Sequence, residues 1–176
     1  MSETAQLILN GETYEFPVIE GSEQEKAIDI SKLRAQTGYI TLDYGFKNTG
    51  STQSAITYLD GENGVLRYRG YSIEELAENA SFIEVAYLLI YGDLPNAEQL
   101  KYFQEGITHH TLVHENMKRF FEAFPPGAHP MGMLSSMISS LSTFYPESQN
   151  PNRSVVDIEL TIHRLIAKLP TLAAQA

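Results

Sequence analysis

All five histidines of this 176-residue chain lie in residues 106–176, and three of them, His109, His110 and His114, form a cluster whose spacing suggests chemistry. His110 and His114 stand four apart, the separation that sets two imidazoles on one helix face and can hold a divalent metal. Thr111 between them reads as a helix breaker or cap, and no carboxylate falls on that face. The cluster therefore reads as a partly exposed histidine surface, with no metal site expected. His129 precedes Pro130 and most economically caps the helix that the proline opens. Arg67 and Arg69, two apart on a predicted strand, share a face where they could hold a carboxylate or phosphate; a surface pair meeting nearby glutamates is the simpler reading. Arg164 and Lys168, one helical turn apart, make the best basic patch, again with a plain solvated helix face as the simpler reading. Gly61, Gly64 and Gly70 are turn glycines whose spacing does not fit a phosphate cradle, and no serine stands in a nucleophile-elbow context. The absence of cysteine rules out thiolate nucleophiles, thiolate metal sites and disulfides.

Composition narrows the classes further. Twelve basic against 22 acidic residues give a net charge of −10, and the split is uneven: residues 1–105 carry 17 acids and 7 bases, residues 106–176 five of each. An acidic chain is a poor nucleic-acid binder, and an anionic ligand should favour the C-terminal 71 residues. With 43% hydrophobic residues and no long apolar run, the expectation is a globular domain with no membrane span. Glu3 and Glu12 without a basic stretch argue against a leader, so cytoplasmic is the default location.

The elements that must position these groups begin with strands. Leu7 and Leu9, then Tyr14, Phe16 and Val18, alternate on either side of Asn10-Gly11, the signature of a β-hairpin. Ile56, Tyr58, Leu66 and Tyr68 read as a second hairpin turning over residues 60–64. Ile30 to Thr37 is at most a short helix closed by Gly38, and residues 45–54 read as an irregular loop.

Helix-start chemistry then repeats. Ser72 with Glu75, Ser81 with Glu84 and Asn96 with Gln99 each match the reciprocal capping box, starting helices at about 73–79, 82–91 and 97–108. The middle one is apolar nearly all round, which predicts a buried position, with Gly92 as its cap. A helix from His114 to Phe124 carries Phe120, Phe121 and Phe124, and another runs from Pro130 to about Tyr145. On the latter, Leu134, Met137, Ile138 and Leu141 form the apolar stripe, while Gly132, Ser136 and Ser140 form a small-residue face suited equally to a subunit contact or to packing within the domain. The last helix, from about Arg153, is predicted to bury Val155, Ile158, Ile162, Leu165, Ile166 and Leu169, leaving Asp157, Arg164 and Lys168 in solvent. After Pro170 the run Thr171–Ala176 reads as the first turns of a further helix without a cap, so the chain is expected to be a fragment.

Long ordered stretches carry a family resemblance. The segment from Ile56-Thr57-Tyr58-Leu59-Asp60-Gly61 through Arg67-Tyr68-Arg69-Gly70-Tyr71-Ser72-Ile73-Glu74-Glu75-Leu76-Ala77 resembles citrate synthase. So do Phe82 to Pro95, Ala128-His129-Pro130-Met131 and Lys168-Leu169-Pro170-Thr171-Leu172-Ala173-Ala174. The hairpin around Asn10-Gly11 is similar to that of the bacterial, hexamer-forming branch. The resemblance implies a mainly α citrate synthase-like fold: a small antiparallel β region with an irregular segment over residues 1–53, then the N-terminal part of the helical large domain over residues 54–176.

It also implies an acyltransferase that condenses acetyl-CoA with oxaloacetate to citrate and CoA, working as a homo-oligomer, dimer or hexamer. In that chemistry a carboxylate removes a methyl proton, one histidine stabilises the enol and another polarises the ketone, with arginines clamping the carboxylates. In the family those groups lie C-terminal to the stretch covered here. No histidine of this chain falls on a catalytic position, so no catalytic residue, cofactor ligand or metal ligand is assigned, and the chain alone is expected to be inactive. The helix from Pro130 is similar to one that crosses the family's dimer interface. In NADH-inhibited bacterial members an allosteric nucleotide site uses positions that correspond to His110, Thr111, Tyr145, Arg164 and Lys168; the arginine usual before the His-Thr pair is His109 here. A 2-methylcitrate synthase and a noncatalytic helical interaction module are the alternatives.

Overall fold

Asn10 and Gly11 take φ values of 53° and 87°, the pair of left-handed residues that a two-residue hairpin turn requires. They join β1 (Thr4–Leu9) to β2 (Glu12–Glu20) in antiparallel register, Leu9 opposite Glu12 and Thr4 opposite Pro17. The third strand of this sheet, β3 (Lys26–Ile28), pairs with β2. Its three residues are too few for alternation to register in the sequence, and all are exposed. α1 (Leu33–Thr37) ends at Gly38 with φ 77°, as expected. The computed structural model describes residues 3–176, and these elements lie in the first of two units, Met1–Ser54 and Ala55–Ala176. Phe16 and Leu33 are the first unit's buried side chains.

The second unit opens with β4 (Thr57–Asp60), β5 (Val65–Tyr68) and the two-residue β6 (Tyr71–Ser72), in sheet order β4-β5-β6. Asp60 builds the first turn: its carboxylate accepts the N–H groups of Glu62 and Asn63, each at 3.0 Å. Arg69 and Gly70, with φ 51° and 91°, make the second turn. Arg69 is therefore not on a strand face beside Arg67, which corrects the arginine-pair reading. Its guanidinium instead donates to the Leu89 carbonyl at 3.0 Å.

α2 (Ile73–Asn79), α3 (Phe82–Tyr91) and α4 (Ala97–Thr108) begin and end where the capping pattern places them. Ser81–Glu84 and Asn96–Gln99 are full boxes, whereas at Ser72 the hydroxyl accepts the Glu75 N–H at 3.2 Å as a one-way cap. Ser72 also ends β6, opposite Arg67, so its backbone serves the sheet. Gly92 closes α3 with φ 100°, its N–H reaching the Leu88 carbonyl at 2.8 Å. α3 is not enclosed as predicted: Leu88 is its one fully buried side chain, and Phe82 is 76% exposed. Being apolar on every face does not enclose a helix when its neighbours cover one stripe.

α5 (Asn116–Glu122) starts two residues later than expected, because His114 lies outside it and accepts the Asn116 N–H on Nδ1 at 3.1 Å. α6 (Pro130–Phe144) is capped by His129, whose Nδ1 accepts the Met131 N–H at 3.2 Å. A short 3₁₀ turn, Pro146–Gln149, leads to α7 (Val155–Gln175), which starts at a capping box formed by Ser154 and Asp157. Gly132 faces open space, since a Cβ there would meet no atom within 4 Å, and Ser136 turns its hydroxyl back to the Gly132 carbonyl at 2.8 Å.

α7 overturns two expectations. It runs unbroken through Pro170, so Thr171–Gln175 continue one helix rather than begin another. Pro170 has no N–H to offer the Ile166 carbonyl, but the remaining ladder and packing carry the helix across that gap. The most buried face is also another one: His163, Ala167, Lys168 and Leu172 point inward, while Val155, Ile158, Leu165 and Leu169 are exposed and Ile162 and Ile166 are half-buried. Both stripes run at helical spacing, and α7 turns to the core the one with smaller and polar residues because α4 and α6 pack there. Leu172 joins Met117, Met137 and Leu141 in a core ringed by Val113, Phe121, Phe124, Leu134, Ile138, Phe144 and Tyr145.

The assignment of faces can be measured. Leu172→Ala should cost about 2–4 kcal/mol in denaturant unfolding, through lost burial plus a cavity, and Leu165→Ala less than about 1 kcal/mol. Equal costs would put the buried stripe of α7 back where the sequence pattern placed it.

Candidate functional site

Lys168 is the least expected side chain of the second unit, a lysine 2% exposed. Burying an ammonium without partners is prohibitive, so its donors must be met. It donates to the carbonyls of His110 and Leu112, each at 2.6 Å, and stands 5.5 Å from the centre of the Tyr145 ring. One turn earlier on α7, the Arg164 guanidinium lies 4.2 Å over the same ring and pairs with Glu147. That hydrogen bond holds the Glu147 carboxyl below the usual carboxylate range. Three residues beyond Lys168, the Thr171 hydroxyl donates to the Thr111 carbonyl at 3.1 Å.

The five residues singled out for a nucleotide site are thus brought together. Tyr145 has two cations near its ring, and the 110–112 main chain is bound to α7 by Lys168 and Thr171. The reading of Lys168 as a solvated surface residue is corrected here, and so is the solvated view of Arg164. Each cation is engaged, Arg164 by Glu147 and Lys168 by backbone oxygen. The side chain of His110 turns away from this cluster, its Nδ1 at 2.7 Å from the Gly106 carbonyl, and Thr111 bonds back to the Thr108 carbonyl at 3.3 Å.

On the other side of that loop, α4 and α7 enclose a cleft of about 320 Å³ lined by Tyr102, Glu105, His109, His110, Glu159 and His163, among others. The His163 ring lies on the backbone of Gly106, where an added Cβ would come within 2.6 Å of it. Burial holds the imidazole below its ordinary pKa of 6.5, with Glu159 opposing that and His110 adding to it. Glu159 accepts the Tyr91 hydroxyl at 3.2 Å, and burial, then Glu159, pushes that phenol up to about 12. His110 and His114 do not share a helix face, because α4 ends at Thr108 and α5 starts at Asn116. Among the described residues no group of three or more His, Asp or Glu side chains could hold a metal ion. The burial of His163 was not legible in the sequence, which places it on the last helix with no role; its four-residue spacing from Glu159 and from Ala167 is the available signal.

Residues 45–176 match the family profile described as citrate synthase, C-terminal domain. The chain belongs to the citrate synthase family. It is 47% identical over 174 residues to citrate synthase 1 of Mycobacterium tuberculosis, in strains CDC 1551/Oshkosh and H37Rv, covering 99% of this chain and 40% of the relative. The chain therefore spans about 40% of the length of these curated relatives.

Solved citrate synthases share the fold. That of Thermotoga maritima aligns with a TM-score of 0.62 at 28% identity, covering 76% of this chain and 34% of that one. The enzyme of Thermoplasma acidophilum, solved as a ternary complex with carboxymethyl coenzyme A and oxaloacetate, gives 0.65 at 20% identity over 75% of this chain and 34% of that one. The citrate synthase of Pyrobaculum aerophilum gives 0.66 at 24% identity, covering 98% of this chain and 40% of its own. At those last two identities the likeness speaks to the fold.

Lys168→Met keeps the stem and removes the donors, leaving the His110 and Leu112 carbonyls without that partner. It should destabilise the chain by about 2–4 kcal/mol and raise amide hydrogen exchange over residues 110–112. A neutral effect on both would show that Lys168 does not hold this loop.

Proposed function

We propose that this chain is the scaffold portion of a citrate synthase, the acyltransferase that joins the acetyl group of acetyl-CoA to oxaloacetate and releases citrate and CoA. The observation that carries the reading is 47% identity sustained over 174 residues of a curated citrate synthase. The chemistry needs a base for the acetyl methyl proton and imidazoles placed against enol and ketone oxygens. Four of the five histidines of this chain serve other ends: His129 and His114 accept helix N–H groups, His110 bonds to the Gly106 carbonyl, and His163 is buried. The proton-moving groups are accordingly assigned to sequence outside these 176 residues.

Assembly as a homo-oligomer fits the apolar surface that α6 and α7 leave open. Ile138, Leu141, Leu165, Ile166, Leu169 and Leu172 line an apolar groove of about 180 Å³ there. A cytoplasmic location remains part of the proposal; no helix among the described residues is long and apolar enough to cross a membrane.

His110, Thr111, Tyr145, Arg164 and Lys168 are proposed as a regulatory site for an anionic nucleotide. What supports it is the pairing of an aromatic ring, on which a base can stack, with two cations within 6 Å of its centre. Occupancy requires Arg164 to exchange Glu147 for phosphate, which a bidentate guanidinium does readily.

Two measurements follow. Incubated with acetyl-CoA and oxaloacetate, the 176-residue chain should release no CoA thiol, whereas the same residues within a longer citrate synthase should support turnover; turnover by the chain alone would overturn the assignment of roles. In a fluorescence titration the longer protein should bind NADH saturably, and R164Q should weaken binding by about tenfold or more. Equal binding by R164Q, or no saturable binding at all, removes the regulatory reading.

A further inference from the structure

We propose that His163 is a proton-operated latch between α4 and α7: charging its imidazole unseats α7 from α4 and slackens the 109–112 segment that Lys168 and Thr171 tie to α7. The ring is 5% exposed and its Nε2 is buried with no hydrogen-bond partner, so the site is built for the uncharged form. It also has no slack. The Gly106 backbone lies against one side, and the Phe103 and Tyr102 rings lie 5.1 and 6.4 Å away. An imidazolium there would hold a charge in a closely packed place, with its Nε2–H buried and without an acceptor, which close packing turns into displacement of a helix rather than a small adjustment.

The ionisable groups facing it are few. α4 presents Tyr102 and Glu105, the latter 4.0 Å from Lys101; the loop presents His109 and His110; α7 itself presents Glu159, whose carboxylate already takes the Tyr91 hydroxyl of α3. Glu159 favours the charged imidazole, and His110 and burial oppose it, burial most strongly. The unfolded chain takes up the proton near the ordinary 6.5, and the folded chain only at lower pH. Stability from this contact is therefore complete above that value and is lost as pH falls through the folded-state pKa, by a factor of about ten in the folding constant for each pH unit separating the two. The consequence reaches the loop because the ties at His110, Thr111 and Leu112 leave α7 within two turns of His163.

The test is thermal unfolding of the 176-residue chain from about pH 8 to about pH 5, beside H163F, which keeps a flat ring without a titrating nitrogen, and H110Q. The wild-type midpoint should fall by about 5 °C for each tenfold loss, H163F should remove at least about half of that fall, and H110Q should retain it. An imidazole NMR titration should place His163 below 6.5, and amide exchange over residues 109–112 and 160–168, corrected for its intrinsic pH dependence, should quicken as His163 charges. If H163F does not fold, the wild-type titration and exchange decide alone. A His163 that titrates at or above 6.5, exchange that ignores its titration, a pH slope unchanged in H163F or abolished in H110Q, or no cooperative transition near neutral pH each overturns the latch.

Discussion

A lysine ammonium withdrawn from water is stable only where oxygen and π-electron density replace its hydration, and the 110–112 carbonyls with the Tyr145 ring do so for Lys168. That requirement sets the rotation of α7. With Lys168 inward, Leu172 one turn on is carried into the core, while His163 and Ala167, four apart, form an adjoining buried row. Arg164 is carried to the edge of the same face, where Tyr145 and Glu147 meet it.

The same rotation explains the apolar surface. α7 carries more hydrophobic residues than one buried stripe can use, and those on its other side, Leu165 and Leu169 at 46% and 45% exposure, stand beside Ile138 of α6 in an open groove. A contiguous patch of this kind favours association, which is why the exposed stripe, more than the small-residue face of α6, supports the proposed oligomer. Gly132 meets no described neighbour of this chain, whereas Ser136 and Ser140 on the same face are half-buried.

Local chemistry was legible wherever a backbone need and a side chain lie within four residues of each other. Asn10-Gly11, the Ser81 and Asn96 boxes, Gly38, Gly92 and the His129 cap answer positive φ or unpaired N–H groups at short range, and the elements begin and end there. β3 and β6 were missed because three and two residues offer no period, and their pairing is set by strands already formed. Arg69 was misplaced because a non-glycine residue at φ 51° follows from the turn closing, not from its side chain. The five residues of the proposed nucleotide site were legible only through resemblance to a family, since 34 residues separate Thr111 from Tyr145 and no periodicity links them.

By itself, then, the amino-acid order determined where α2, α3, α4 and α6 start and stop and where the two hairpins turn, and through long ordered matches the family to which the chain belongs. Which face of α7 is buried, that Lys168 is inside rather than solvated, and that His163 rests on Gly106 were decided by tertiary structure alone. The physical reason is that two amphipathic stripes of similar strength compete on that helix. The choice between them depends on carbonyls 56 and 58 positions away and on a ring well beyond helical reach, which no local pattern encodes.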